Sequence, residues 1–341
     1  AQGVSALQGS LAPCSMLSRI AVSFAPKPWR TTRPIRRIPW LRTSEGLRAL
    51  RATANVQVDS QSTSSSDVQG AESGGDKGAL PTSAQQQQQQ LPQQQPQRRW
   101  AVCFELRDGC SSVTVRLHDM GEAATRSSPL PAPAEPGVSR IWLMPDFAPQ
   151  ELCAGVLKAA SSKSGKYGFR PARVSQTSEA SNAASAVIDG TERRGLQCSL
   201  RGDVDGPDVA ALEEKLCGLA GADVGQMEKL ELARSGPGDF FAPHHDGAQR
   251  EVSQLLWLQP CSEGGETAFP AFGLRFAPCS GAVLAWRNTR STTAGADHEV
   301  AETNKQLLHE GCKVLAGEKI IASGWIHRGQ VRPVRRGRRK R

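Results

Sequence analysis

The chain has 341 residues, a formal net charge of +9 and nine cysteines, and its length allows one large domain or two small ones. The charge is uneven: residues 1–58 carry +8 and residues 331–341 carry +7, which leaves the middle of the chain at −6 and argues against a basic nucleic-acid cleft in the core. No apolar run reaches the roughly 18 residues of a membrane-spanning helix, and the absence of a CxxC pair speaks against a zinc ribbon.

Residues 1–58 are rich in Arg, Ser, Ala and Pro, with Glu45 the sole acid. That is the composition of a chloroplast or mitochondrial transit peptide; the endoplasmic reticulum is the alternative location. Residues 59–97 are rich in Ser, Gly and Gln, with a run of Gln from Gln85 to Gln90. Such sequence buries too little apolar surface to offset its ordering entropy, so 1–98 is expected to be a disordered leader. Order is expected from Arg99. "RWAVCFELRDGCSSVTVRLHDM" alternates apolar and polar residues around Asp108-Gly109, the pattern of a β-hairpin. With the Pro-rich linker from Ser127 to Gly137 it makes an extension over 99–137.

A folded domain is expected over 138–327. "RIWLMPDFAPQELCAGVLKAASS" predicts a strand, a turn at Pro145-Asp146, and a helix from Pro149 with Leu152, Val156, Leu157 and Ala160 at helical spacing. A second helix is predicted over 206–221, with Pro207 in its first turn and Val209, Leu212 and Leu216 on one face. After Met227 the texture changes to short strands between Gly and Pro. These are Leu230–Arg234, Val252–Leu258, Thr267–Phe269, Leu274–Phe276, Ala282–Trp286, Gln306–His309 and Ile320–Trp325. Helices followed by many short strands predict a mainly β fold with flanking α, a double-stranded β-helix (jelly roll) buttressed by N-terminal helices. Residues 328–341 form a basic tail, either simply solvated or a nucleic-acid or nuclear-targeting element.

The chemistry concentrates in "PHHD" and the residues beyond it. On a strand, residues two apart share a face, so His244 and Asp246 can reach one ion while His245 points away. Two imidazoles and a carboxylate on one face of an octahedron suit non-haem Fe(II). The third ligand is His298 or His309. His298 lies in a polar loop-like stretch, whereas His309 ends an apolar stretch that reads as a strand and holds a ligand more rigidly. Lys319, ten residues later, opens the last predicted strand, where an ammonium can pair with the far carboxylate of a metal-chelating dicarboxylate.

"GPGDFFAPHHD", "GGETAFP" and "LHEGCKVLAGEK", in this order, resemble the prolyl 4-hydroxylase family of 2-oxoglutarate- and Fe(II)-dependent dioxygenases, over 140–327. The resemblance implies that His244, Asp246 and His309 bind Fe(II) and that Lys319 binds 2-oxoglutarate. It also places Arg250 and Trp325 near the substrate groove. It implies O2 as cosubstrate, ascorbate as reductant, and a proline-containing peptide or protein as substrate, hydroxylated while 2-oxoglutarate becomes succinate. The chain departs from the family at Ser235, where relatives carry Tyr, and in the short 247–249 loop. Two alternatives remain open: a hydroxylase of another protein side chain, or a non-catalytic binding module on the same barrel.

Overall fold

The computed structural model of the chain describes residues 22–24, 58–59, 100–110, 112–119, 130, 136–176, 185–187, 189–291 and 301–332. The strands that position the site are β1 (Trp100–Arg107), β2 (Val113–Asp119), β3 (Val138–Met144), β4 (Leu196–Leu200), β5 (Leu230–Ser235), β6 (Phe241–His244), β7 (Arg250–Gln259), β8 (Thr267–Phe269), β9 (Leu274–Phe276), β10 (Val283–Arg287), β11 (His309–Gly311) and β12 (Lys319–His327). Two helices, α1 (Gln150–Ser161) and α2 (Pro207–Ala220), accompany them.

A large sheet runs Val58–Asp59, β2, β1, β3, β10, β7, β12, β5, β4, Arg170–Pro171. Its neighbours pair antiparallel except the first two, which are parallel. A smaller antiparallel sheet runs Val22–Phe24, β9, β8, β11, β6. The strands Val22–Phe24 and Val58–Asp59 come from the expected leader. The remainder of the leader, most of the Pro-rich linker, and residues 333–341 of the tail lie outside the described residues.

Both faces of the large sheet are covered, which is why β7 is buried at consecutive rather than alternate positions. One face packs Leu230, Leu232, Leu256 and Ala322 against Val156 of α1 and Leu212 and Leu216 of α2. The other packs Phe104, Ile141, Trp257 and Trp286 against Phe269, Leu274 and Phe276 of the smaller sheet. The predicted helices form as their apolar spacing requires. Pro207 occupies the start of α2, where its missing N–H costs nothing. Gly221 ends it in the left-handed region (φ 67°), and its N–H donates to the Gly218 carbonyl. The hairpin at Asp108-Gly109 also forms, and β1 pairs with β3, so the hairpin extends the large sheet by two strands. Among the described residues no helix is long and apolar enough to cross a membrane.

One element differs. The strand expected over Gln306–His309 is instead a 3-10 turn, Lys305–Leu307, and β11 starts at His309. Asn304 explains the change. It is buried, its side chain accepts from the Gln306 N–H (3.2 Å), and its amide donates to Ser139 (2.8 Å). A local side-chain acceptor of this kind competes with the strand ladder and turns the backbone.

Phe269 ties the two sheets together. It is fully buried, meets Phe272, Phe276 and Trp286 edge-on, and stacks on His309 at 5.5 Å. Phe269→Ala is expected to cost about 3–5 kcal/mol of stability, read from chemical denaturation. A loss below about 1 kcal/mol would contradict a shared core at this position.

Candidate metal centre

His244 closes β6, His309 opens β11, and the two are direct cross-strand partners with ring centroids 4.3 Å apart. Each Nδ1 lies against the carbonyl two residues earlier, Ala242 at 2.8 Å and Leu307 at 3.0 Å. Carbonyls only accept, so Nδ1 carries a proton in both rings, and in the neutral imidazole Nε2 is the nitrogen left to ligate. Both Nε2 atoms face Asp246: His244 lies 3.9 Å from Oδ1 and His309 3.7 Å from Oδ2. The three ligand atoms lie within 4.8 Å of one another. Among the described residues this is the one group of three or more His, Cys, Asp or Glu side chains so arranged.

The alternation of a strand does not bring His244 and Asp246 together, contrary to the sequence expectation. β6 ends at His244, and Asp246 stands in the loop beyond it, before Gly247 at φ 93°. Its carboxylate is instead pinned from β7, where the Ser253 hydroxyl donates to Oδ2 at 2.6 Å. His245 points elsewhere, its Nε2 3.3 Å from the Lys305 carbonyl. His298 lies outside the described residues.

The electrostatics favour the ligand-competent forms. Burial pushes the His244 imidazolium pKa down, His309 pushes it further, and Asp246 opposes them only in part. Burial would raise the Asp246 carboxyl, but His309, His244, the Ser253 hydroxyl and Arg250 outweigh it and hold the pKa low. The imidazole of His244 is therefore neutral and the carboxylate ionised, as metal ligation requires.

A cavity opens in front of the triad, lined also by Lys319, Ser235, Ile321 and Trp325. Lys319 opens β12 as expected and is buried. Its ammonium donates to the Gly265 carbonyl at 2.7 Å. Burial lowers its pKa, opposed by Cys261, Cys312 and Glu266. Among the described residues Glu266 acts on it only from beyond ion-pair distance, so the buried ammonium has no carboxylate in direct contact. Gly265 permits the arrangement: it sits at φ 70°, and a Cβ there would come 2.6 Å from Cys261 Sγ. Ser235 faces Lys319 across β5 and β12.

Arg250 and Trp325 are brought together. The guanidinium lies 3.8 Å from the Trp325 ring centroid and grips Glu228 with two hydrogen bonds of 2.7 and 2.9 Å. Trp325 lines the cavity; His327 Nε2 also meets Glu228, at 2.7 Å. Sequence reasoning missed Glu228, because an isolated acid before a strand carries no pattern. It also missed Arg193 and Arg194, which line the cavity.

A third omission is a relay behind Asp246. Trp286 Nε1 donates to Asn288 Oδ1 (2.8 Å), the Asn288 amide donates to Ser253 Oγ (2.7 Å), and Ser253 donates to Asp246. Asn288, Ser253 and Trp286 are all buried. Groups that orient a ligand commonly contribute about 10–100-fold to metal affinity. Asn288→Ala is expected to weaken Mn(II) binding by roughly tenfold in calorimetric titration. Undiminished affinity would mean that the relay does not hold the carboxylate in place.

Residues 230–327 match the model of a family described as the 2OG-Fe(II) oxygenase superfamily. Prolyl 4-hydroxylase 1 of Arabidopsis thaliana is 28% identical over 138 residues, which are 35% of this chain and 48% of that protein. Prolyl 4-hydroxylase subunit alpha-1 of Mus musculus is 26% identical over 165 residues, 44% of this chain and 29% of that one. The chain thus spans under half the length of these two curated relatives. Among solved structures, a viral collagen prolyl hydroxylase from Paramecium Bursaria Chlorella virus-1 aligns with 20% identity and a TM-score of 0.41, covering 55% of this chain and 94% of that one.

Proposed function

We propose that this chain, a prolyl 4-hydroxylase-like member of the 2OG-Fe(II) oxygenase superfamily through residues 230–327, hydroxylates proline in a peptide or protein as 2-oxoglutarate is converted to succinate and CO2. The observation that carries this reading is the convergence of four groups on one cavity: the Nε2 atoms of His244 and His309, the Asp246 carboxylate, and the buried Lys319 ammonium. Two imidazoles and one carboxylate fit Fe(II) in type and number. The Lys319 ammonium fits the far carboxylate of 2-oxoglutarate, because a buried cation with no carboxylate in direct contact is stabilised by one. When bound, Fe(II), 2-oxoglutarate and O2 supply the oxidising power for C–H hydroxylation, with ascorbate returning oxidised iron to Fe(II).

The chain supplies geometry. His244, Asp246 and His309 would hold the ion beside the cavity that they line. Lys319 would hold the far carboxylate of the cosubstrate from the cavity wall. Leu255, Ile321 and Trp286 line the same cavity and keep its wall apolar, which strengthens each charge interaction inside. Arg250 and Trp325 are assigned to the substrate side, with Glu228 holding Arg250 in position. The two packed sheets are read as a double-stranded β-helix that α1 and α2 buttress. The transit-like composition of residues 1–58 supports an organellar location.

Breaking a buried charge pair costs about 3–5 kcal/mol, and each 1.4 kcal/mol is about tenfold in affinity. Lys319→Ala is therefore expected to raise the 2-oxoglutarate requirement by about two orders of magnitude, with Mn(II) affinity little changed. Lys319→Arg should recover only part, since guanidinium is longer and planar. Succinate formation against 2-oxoglutarate concentration is the measurement, and an unchanged half-saturation value in Lys319→Ala would sink the assignment. In the same assay His244→Ala should abolish turnover and His298→Ala should leave most of it; full activity of His244→Ala would remove the metal assignment.

A further inference from the structure

Five cations stand on adjoining segments beside the cavity, two of them in its lining. Arg193 and Arg194 line the cavity itself. The edge strand that starts at Arg170 lies against the residues just after them: Arg170 is opposite Gln197, Ala172 N–H donates to the Gly195 carbonyl at 3.0 Å, and Arg173 N–H donates to Gln197 at 3.1 Å. Lys166 adjoins, its carbonyl accepting from the Arg170 guanidinium at 3.3 Å. Arg193 alone is half-buried; Lys166, Arg170, Arg173 and Arg194 are exposed.

None of the five forms an ion pair with a carboxylate among the described residues. Elsewhere the fold pairs its arginines: Arg201 with Asp203, Arg234 with Glu318, Arg287 with Glu251, Arg332 with Glu213. The rim cations lie instead against aromatic faces or carbonyls. Arg193 sits 4.6 Å from the Phe241 ring, Arg194 lies 5.9 Å from Phe240, and Lys166 lies 5.0 Å from the ring of Tyr167, which is 64% exposed. The nearby acids act on them only from beyond ion-pair distance. Asp189 is turned into its own loop by the Thr191 hydroxyl and N–H, while Glu231 accepts from Ser199 and attracts Arg193 and Arg170 from farther away, as Asp246 does Arg193.

The surrounding chain makes this unusual. Residues 59–330 carry a net charge of −6, so acids to pair with are not scarce. Like charges held together without counter-ions repel and destabilise the fold. A positive patch of this kind raises the local concentration of an anionic partner and orients it. We propose that the rim binds acidic side chains in the peptide that enters the cavity, so that the preferred substrate carries Asp or Glu beside the hydroxylated residue. This rests on the peptide-hydroxylase reading above and adds the charge class of the substrate. A nucleic acid fits less well, because its long polyanionic backbone would also meet the net negative remainder of the domain.

The test uses the full chain and two synthetic peptides with the same proline core, flanked either by Glu or by Lys. Binding is read by fluorescence anisotropy at several salt concentrations, and hydroxylation by mass spectrometry. The Glu-flanked peptide is expected to show kcat/KM about tenfold or more above the Lys-flanked one, with the advantage shrinking as salt rises. In the double charge reversal Arg170→Glu with Arg194→Glu, the Lys-flanked peptide should gain and the Glu-flanked one should lose. A gain cannot come from misfolding. Equal hydroxylation and binding of the two peptides would overturn the acidic preference and leave the hydroxylase reading intact. Binding of the Glu-flanked peptide without hydroxylation of either would overturn the hydroxylase reading and keep the acidic preference. A single-stranded oligonucleotide that displaced the Glu-flanked peptide at equal concentration would overturn the peptide assignment of the rim.

Discussion

The structure turns on one cross-strand pair. His244 and His309 face each other between β6 and β11, and the single carboxylate that serves both is held from a different sheet. Two imidazoles and a carboxylate at this separation in a buried setting are costly unless each is hydrogen-bonded and held in place. The fold does this with neighbours that cannot adapt. Backbone carbonyls fix both tautomers, and Ser253 fixes the carboxylate. Aromatic rings fix the planes. Phe241 stacks on His244 at 3.6 Å, and His309 is wedged between Phe269 and Trp286.

From that pair the division of labour between the sheets follows. The smaller sheet supplies the two imidazoles. The large sheet supplies Ser253 from β7 and Lys319 from β12, while Asp246 lies on the connection between the sheets. The core between the sheets is therefore the floor of the site as well as a source of stability. A change in how Phe269 packs would move His309 relative to Asp246, and a displacement of about 1 Å is enough to cost a catalytic geometry dearly. Lys319 depends on a turn in the same way: its hydrogen-bond acceptor in the site is a carbonyl made available by the left-handed backbone at Gly265.

Much of this was legible from residue order. The helices followed from 3.6-residue apolar spacing, the hairpin from alternation about Asp108-Gly109, and the start of β12 at Lys319 from Gly317 and a β-branched run. The element around His309 was not, because the buried amide of Asn304 overrides local propensity through a partner, Ser139, 165 residues away. The route by which Asp246 reaches the triad was hidden for a similar reason. It depends on a loop and on a serine seven residues later, rather than on strand periodicity. The Asn288–Ser253 contact joins residues 35 apart through the β7–β10 register, which no single-chain pattern encodes. The basic rim was masked by net charge, since its cations are scattered through a middle segment that is acidic in sum.

The central claim is that one cavity holds a metal on the triad and a dicarboxylate between that metal and Lys319. Such binding is coupled, because each ligand completes the site of the other. The direct measurement is calorimetric titration of 2-oxoglutarate into the full chain with and without Mn(II), under anaerobic conditions. Metal is expected to tighten 2-oxoglutarate binding by at least about tenfold, a coupling of about 1.4 kcal/mol. Equal affinity with and without metal would contradict a shared site.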